Sequence, residues 1–210
     1  YTVTAVTNGA AMRIAPIGCL FPCDDLEGLA AYVFRISEAT HKTDVALGGA
    51  GMVAAAVSAA LDGRSWEGIM DAAMDCYAMA ARYGAQTYSA SPKARLAMAL
   101  ELARRHRADA EAFSLSVYEG IGTTTLMNEA VPTALAMAYY FKEPHACSLA
   151  CANLGGDTDT IGAMAVAVCG AKAGAAAMEP ALIAVLEQSN DVDFGRYADS
   201  LLAHRGRVYC

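Results

Sequence analysis

Apolar residues recur at the spacing of a helix face along almost the whole chain, and the alternation typical of β-strands is nearly absent. One such face follows Asp24 and carries Leu26, Leu29, Ala30, Val33 and Ile36. Only residues 1–6 alternate, and they could equally be an irregular start. The periodicity therefore predicts an all-α fold. Because no linker interrupts it, we predict a single compact multi-helix domain over residues 1–210.

Capping residues and prolines indicate where several helices begin. Ser65 precedes a helix predicted over 66–82, with Gly84 just beyond its end. Ser91 precedes Pro92, and a proline is favoured at the first position of a helix. Further helices are predicted over 129–141, 144–153, 160–174, 180–188 and 194–204.

The helix predicted after Thr160 contains Gly162, Gly170 and Gly174, with alanines beside them. Glycine destabilises a helix interior by roughly 1 kcal/mol relative to alanine, so packing must hold this helix together. We therefore predict that it is the buried central helix of the domain, surrounded on all sides. Residues at its N-terminus would then be held rigidly.

The charge and the uncharged segments limit the partners of the chain. Fifteen Lys and Arg against 22 Asp and Glu give a net charge of −7, which argues against nucleic acid and against an anionic membrane surface. The uncharged run over 45–61 is short and rich in Ala and Gly, which favours a buried helix over a membrane span. Seven cysteines lie in mostly apolar segments, and we expect a cytoplasmic protein.

Two carboxylates and two hydroxyls stand together in the segment Gly155-Gly156-Asp157-Thr158-Asp159-Thr160. Asp157, Asp159 and Thr160 can turn their oxygens towards one point, and an oxygen-only cluster suits Mg²⁺, Mn²⁺ or Ca²⁺ rather than Zn²⁺. The alternative is that Asp157 or Thr158 caps the following helix. The residues alone leave both a cation or phosphate site and an elaborate cap open.

Four segments of the chain, in this order, resemble motifs of the ADP-ribosylglycohydrolase family, also called the ADP-ribosylation/crystallin J1 family. They are Thr7-Asn8-Gly9-Ala10-Ala11-Met12-Arg13, Ala39-Thr40-His41, Asn128-Glu129-Ala130-Val131-Pro132-Thr133-Ala134-Leu135, and the acidic segment continued through Ile161-Gly162-Ala163-Met164-Ala165. The first and the last are specific together, whereas the other two are weak alone. The resemblance extends from residue 7 to about residue 174.

The resemblance implies an all-α fold around a two-ion Mg²⁺ or Mn²⁺ centre. The implied activity is hydrolysis of the N- or O-glycosidic bond that joins ADP-ribose, or a related ribosyl group, to a protein side chain or a small molecule. The implied metal ligands are Asp157, Asp159 and Thr160, and the implied substrate-binding residues are Asn8, Gly9, Ala10 and His41.

Taken singly, the residues of these motifs have simpler interpretations. Asn8-Gly9 is also a strong turn dipeptide, and His41 alone would be a capping or core histidine. Arg13 is interpreted as an ion-pair partner, with a phosphate contact as the alternative. Glu129 is interpreted as an acid that complements the first turn of a helix, with a role in positioning the cleft as the alternative.

The sequence departs from the family in one respect. Family members carry a Gly-Asp-Ala-x-Gly and a Thr-Asp-Asp-Thr element upstream of the Asn-Gly loop, and neither occurs in this chain. We therefore expect a chain shortened at its N-terminus, with the general base upstream of Tyr1. The alternative function is a non-catalytic member of the family, either an ADP-ribose- or nucleotide-binding protein or a structural crystallin-like protein. A hydrolase of free ribosides is a third hypothesis.

Overall fold

The structure of the protein is a computed structural model that describes residues 2–207, and eleven α-helices make up most of that part of the chain. They are α1 (Ala15–Leu20), α2 (Leu26–Ser37), α3 (Asp44–Leu61), α4 (Trp66–Ala81), α5 (Pro92–Arg105), α6 (Ala110–Gly120), α7 (Met127–Phe141), α8 (Pro144–Ala152), α9 (Thr158–Ala173), α10 (Pro180–Asn190) and α11 (Phe194–His204). Single 3₁₀ turns lie at Ala11–Arg13 and Ala175–Ala177.

The all-α prediction is confirmed. Within residues 2–207 there is no strand, and the β contacts are two isolated bridges, Thr7 to Leu126 and Thr43 to Ala85. Tyr1, which begins the alternating segment at the start of the chain, lies outside the described residues, and residues 2–6 form a turn and irregular backbone.

Capping side chains start the helices where the sequence predicts them. The Ser65 hydroxyl accepts a hydrogen bond from the Gly68 N–H (3.1 Å) at the start of α4. The Ser91 hydroxyl accepts one from the Ala94 N–H (3.3 Å) at the start of α5. The structure also contains α1 and α6, which lie outside the predicted helices.

The central helix of the domain is α3 rather than the helix after Thr160. Every residue of α3 from Val45 to Ala60 is buried, and α3 packs against α1, α2, α4, α7 and α9. A Cβ atom added at Gly49 would lie 2.5 Å from the Met127 sulfur, so this glycine lets α7 approach closely. By length and composition α3 could cross a membrane, but 89% of it is buried inside the domain.

Helix α9 carries the predicted glycine repeat but is buried mainly along one face, through Ile161, Met164, Ala165, Val168 and Cys169. A Cβ atom added at Gly170 would meet nothing within 4 Å. The prediction that this helix is surrounded on all sides is therefore wrong. Small residues permit close packing, but they do not require a neighbour on every face.

Three loops come together where α7 and α9 begin: residues 7–10, residues 121–126 and residues 153–157. The Asn8 N–H donates to the carbonyl of Thr125 (2.9 Å), and the Asp157 N–H donates to the carbonyl of Thr123 (2.8 Å). The middle loop therefore holds the other two, which brings two motifs that are distant in the sequence to one place.

Candidate metal and ligand site

Asp157 occupies the position from which a side chain usually caps a helix, but within residues 2–207 its carboxylate makes no capping bond to α9. The carboxylate instead accepts a hydrogen bond from Nδ2 of Asn8, with 2.5 Å between the nitrogen and Oδ2. The structure thus argues against the interpretation of Asp157 as a cap. Its side chain joins the Asn-Gly loop to the acidic segment.

Asp159 and Thr160 lie in the first turn of α9, where Asp159 is exposed and Thr160 is partly buried. Neither side chain has a hydrogen-bond or ion-pair partner in the described part of the chain. With Asp157 they present two carboxylates and one hydroxyl at the N-terminal end of a helix, whose dipole favours negative charge.

The chemistry of this donor set fits a hard divalent cation. Mg²⁺ is commonly bound through one or two carboxylates while it keeps several waters. In residues 2–207, however, no three His, Cys, Asp or Glu side chains come together in a way that could hold a metal ion. The three oxygen-bearing side chains of Asp157, Asp159 and Thr160 therefore fit part of the coordination shell of such an ion.

The Asn8 loop offers backbone donors beside the buried Asn8 side chain. The Asn8 carbonyl accepts from the Met12 N–H (3.0 Å), so the loop turns directly into the 3₁₀ turn at Ala11–Arg13. Within residues 2–207 the N–H groups of Gly9 and Ala10 have no hydrogen-bond acceptor. Ala10 is fully buried, whereas Gly9 is partly exposed, so the Gly9 N–H is the donor that a ligand can reach. A free backbone N–H of this kind can bind an anion oxygen.

His41 lies against Gly9, and the absence of a side chain at position 9 makes this contact possible. A Cβ atom at Gly9 would lie 2.8 Å from Cε1 of His41. The imidazole contacts the hydroxyls of Thr7 (3.2 Å from Nε2) and Thr40 (3.0 Å from Nδ1). Burial, with a smaller contribution from the nearby Arg13 cation, lowers the pKa of His41, which favours the neutral ring.

Arg13 donates to the hydroxyl of Thr40 (2.6 Å) and has no carboxylate partner in residues 2–207. The interpretation of Arg13 as an ion-pair partner is therefore wrong within the described chain. Its guanidinium instead supports the residue that precedes His41.

The loop at 121–126 is a part of the site that the sequence analysis does not include. Its carbonyls at Thr123 and Thr125 hold Asp157 and Asn8 through their backbone N–H groups. Gly156 has a φ of +80°, and a Cβ atom there would overlap the carbonyl and the hydroxyl of Thr123. The acidic segment can therefore lie this close to the threonine loop only with glycine at position 156.

Glu129 holds the loop at 121–126 through its carboxylate. Its carboxylate accepts from the Thr124 N–H (3.2 Å) and the Thr124 hydroxyl (2.6 Å), and it lies 3.6 Å from Nη1 of Arg95. Arg95 also donates to the carbonyls of residues 121 and 128 (3.3 and 3.0 Å), and the Thr133 hydroxyl donates to the carbonyl of Gly122 (2.8 Å). These contacts favour the alternative interpretation of Glu129, a role in positioning the cleft.

Replacing Glu129 with glutamine should lower the free energy of unfolding by about 1–2 kcal/mol, because the charge that faces Arg95 is lost and the hydrogen bonds from Thr124 to a partly buried carboxylate are weakened. The matched control is Glu119→Gln, since Glu119 is exposed and has no partner within residues 2–207; it should change stability by less than about 0.5 kcal/mol. Urea unfolding of both variants measures the difference. Equal stabilities would show that the Glu129 carboxylate does not hold the loop.

An aromatic side chain, that of Tyr118, lies next to the acidic segment at Gly155. Gly155 has a φ of +88°, and a Cβ atom there would lie 3.1 Å from the ring of Tyr118. Tyr118 is about half exposed and borders a hollow of about 360 Å³ with Asn153 and Leu154. A flat ring is therefore available next to the loop that carries Asp157.

The described part of the chain is all-helical, and the start of α9, with two carboxylates and two hydroxyls, lies beside the Asn8 loop. The chain matches the ADP-ribosylglycohydrolase family over residues 2–209 and belongs to that family. A relative, the uncharacterized protein YegU of Escherichia coli (strain K12), is 46% identical over 202 residues, which make up 95% of this chain. The chain spans about 60% of the length of that relative.

Proposed function

We propose that the protein is a metal-dependent hydrolase that cleaves the glycosidic bond between ADP-ribose, or a related ribosyl group, and a protein side chain or small molecule. Membership of the ADP-ribosylglycohydrolase family supports glycosidic hydrolysis in general. The observation that carries the finer proposal is the hydrogen bond from Asn8 to Asp157. It joins the segment expected to bind the ribose–diphosphate to the segment expected to bind the cation.

Asp157, Asp159 and Thr160 would hold the Mg²⁺ or Mn²⁺ ion. A divalent cation at this position supplies positive charge that polarises the bond at the anomeric carbon and lowers the pKa of a bound water. Asn8 orients the Asp157 carboxylate through its amide, and the bond from the Asp157 N–H to the Thr123 carbonyl fixes the backbone beneath it. The chain thereby holds the carboxylate before any ligand binds.

The Asn8 loop would bind the diphosphate without a basic patch. The free and partly exposed N–H of Gly9 can donate to a phosphate oxygen, which would help a chain with a net charge of −7 to bind an anionic substrate, while the buried Ala10 supports the loop from the core. His41, kept neutral by its lowered pKa and held by Thr7 and Thr40, lies at the same loop, where its ring would border the ligand. Tyr118 offers its ring to a flat group of the ligand.

Turnover should depend on the cation. Incubation of the full chain with an ADP-ribosylated protein, followed by measurement of released ADP-ribose, should show hydrolysis that EDTA abolishes and excess Mg²⁺ or Mn²⁺ restores, because the charge at the anomeric centre is otherwise uncompensated. The control adds EDTA already saturated with Mg²⁺. Hydrolysis that continues unchanged in EDTA would contradict the metal-dependent reaction.

A second candidate function is binding of ADP-ribose or a nucleotide without hydrolysis. The observation that favours it is the small number of carboxylates, since only Asp157 and Asp159 lie at the predicted ion site in the described chain. Calorimetry with ADP-ribose distinguishes the two. Saturable binding with no turnover of any ADP-ribosylated substrate would support the binding protein, and free nucleosides as the better substrates would support a riboside hydrolase.

A further inference from the structure

A hollow of about 460 Å³ lies between the C-terminal ends of α5 and α7. Arg104, Arg107 and Lys142 surround it, together with the rings of Tyr139 and Tyr140; we call it the cationic hollow. Glu129 lies at the opposite end of α7, a helix of 15 residues, so the two sites are separated by about 20 Å along the helix. The cationic hollow is therefore distinct from the candidate metal and ligand site.

Favourable interactions with helix dipoles explain only part of the positive charge around the cationic hollow. Cations at the C-terminal end of a helix are generally favourable, and Arg104 lies in the last turn of α5, where it also pairs with Glu101 at 3.3 Å. Arg107, in contrast, lies beyond the end of α5 and makes no hydrogen bond or ion pair within residues 2–207. An unpaired guanidinium at the edge of a hollow is free to bind an anion.

Lys142 occupies a backbone conformation that residues with a side chain rarely adopt. Its φ is +63° and its ψ is −32°, at the point where α7 ends. Glycine would adopt this conformation without strain, yet the chain has a lysine whose ammonium lies 5.8 Å from the centre of the Tyr139 ring. Strained positions of this kind occur frequently at ligand sites.

The carboxylates near the hollow already have partners. Glu101 pairs with Arg104, Glu67 accepts a hydrogen bond from the Tyr139 hydroxyl at 3.2 Å, and Asp109, which lies near Tyr140, accepts one from the Ala112 N–H at 2.9 Å. Within residues 2–207, Arg107 and Lys142 have no carboxylate partner. These two cations therefore remain available to an anion.

We propose that the cationic hollow binds a diphosphate group of a small molecule. The guanidinium groups of Arg104 and Arg107 can each donate two hydrogen bonds to a pair of phosphate oxygens. Lys142 supplies a third positive charge from the end of α7. The Tyr140 ring stacks on Phe113 at 4.1 Å, and the Lys142 ammonium lies over the ring of Tyr139. Since Phe113 already covers one face of Tyr140, the charged side chains rather than the rings are the main contacts that we assign to the ligand.

Pyrophosphate, titrated calorimetrically into the full chain in EDTA, tests the proposal without the cation or turnover. Arg107→Gln should weaken pyrophosphate binding about tenfold or more, because a charged hydrogen bond is lost. The matched control is Arg105→Gln, since Arg105 is an exposed arginine two residues away that does not border the hollow. Arg105→Gln should leave the affinity within about twofold of the parent.

Lys142→Gly tests the proposal with a variant in which a loss of binding could not be explained by misfolding. It removes the ammonium and relieves the backbone, so pyrophosphate binding should weaken while the melting temperature does not fall. ADP should compete with pyrophosphate and adenosine should not. The proposal is overturned by an absence of saturable pyrophosphate binding, by equal losses in Arg107→Gln and Arg105→Gln, or by competition from adenosine alone.

Discussion

Asp157→Asn should reduce the affinity of the full chain for Mn²⁺ by about 100-fold or more and should abolish hydrolysis of ADP-ribosylated protein. Residues that only hydrogen-bond to the ligands of a metal ion typically raise the affinity for the metal by about 10- to 100-fold. A carboxylate that coordinates the ion directly should contribute at least as much. Mn²⁺ affinity can be measured by the loss of the free-ion electron paramagnetic resonance signal. Turnover can be measured by release of ADP-ribose.

Asparagine is the informative replacement because it keeps the size and shape of aspartate without its charge. Its amide oxygen can still accept from Asn8, so the fold should be retained while the charge is lost. Asp75→Asn is the matched control, since Asp75 is exposed on α4 and has no partner in the described residues. If Asp157→Asn binds Mn²⁺ as tightly as the Asp75→Asn control, the acidic segment is not a cation site.

Gly156→Ala should destabilise the protein by about 2–4 kcal/mol, because position 156 has a φ of +80° and the added Cβ would overlap the Thr123 carbonyl. That carbonyl also accepts the Asp157 N–H, so its displacement should weaken cation binding as well. For a chain of 210 residues the melting temperature should fall by about 5–15 °C. Calorimetric unfolding measures the stability change.

Gly170→Ala is the control from the same segment of the chain. Gly170 lies inside α9 with helical backbone, and a Cβ atom there would meet nothing within 4 Å. Alanine should therefore stabilise the protein by roughly 1 kcal/mol. A Gly156→Ala variant that is as stable as Gly170→Ala would mean that the acidic segment does not lie against Thr123.

The sequence predicts the helices well because their signals are local. Ser65 and Ser91 cap the helices that they precede. On the predicted apolar face of α2, Leu29, Ala30 and Val33 are buried, although Ile36 at its end is exposed. The sequence does not predict which helix is central, since α3 and α9 are both rich in small residues. The neighbours that pack against a small residue come from segments far along the chain, so the composition of a helix does not predict whether it is surrounded.

The candidate site is predicted in its parts but not in its connections. Asn8 and Asp157 are singled out by two separate motifs, and neither motif predicts the hydrogen bond between them. The loop at 121–126 is missed because Thr123 and Thr125 act through backbone carbonyls, which every residue has. Glu129 lies in the first turn of α7, as the sequence predicts, but its contacts with Thr124 form only after the loop has folded back, and the sequence does not favour them for that reason.

The hydrogen bond from Asn8 to Asp157 spans 149 residues of sequence. Closing a loop of this length is entropically unfavourable, so contacts of such separation form after the local helices. We therefore expect the candidate site to form only when segments from both ends of the sequence have come together, and a molecule with its helices alone to lack that site.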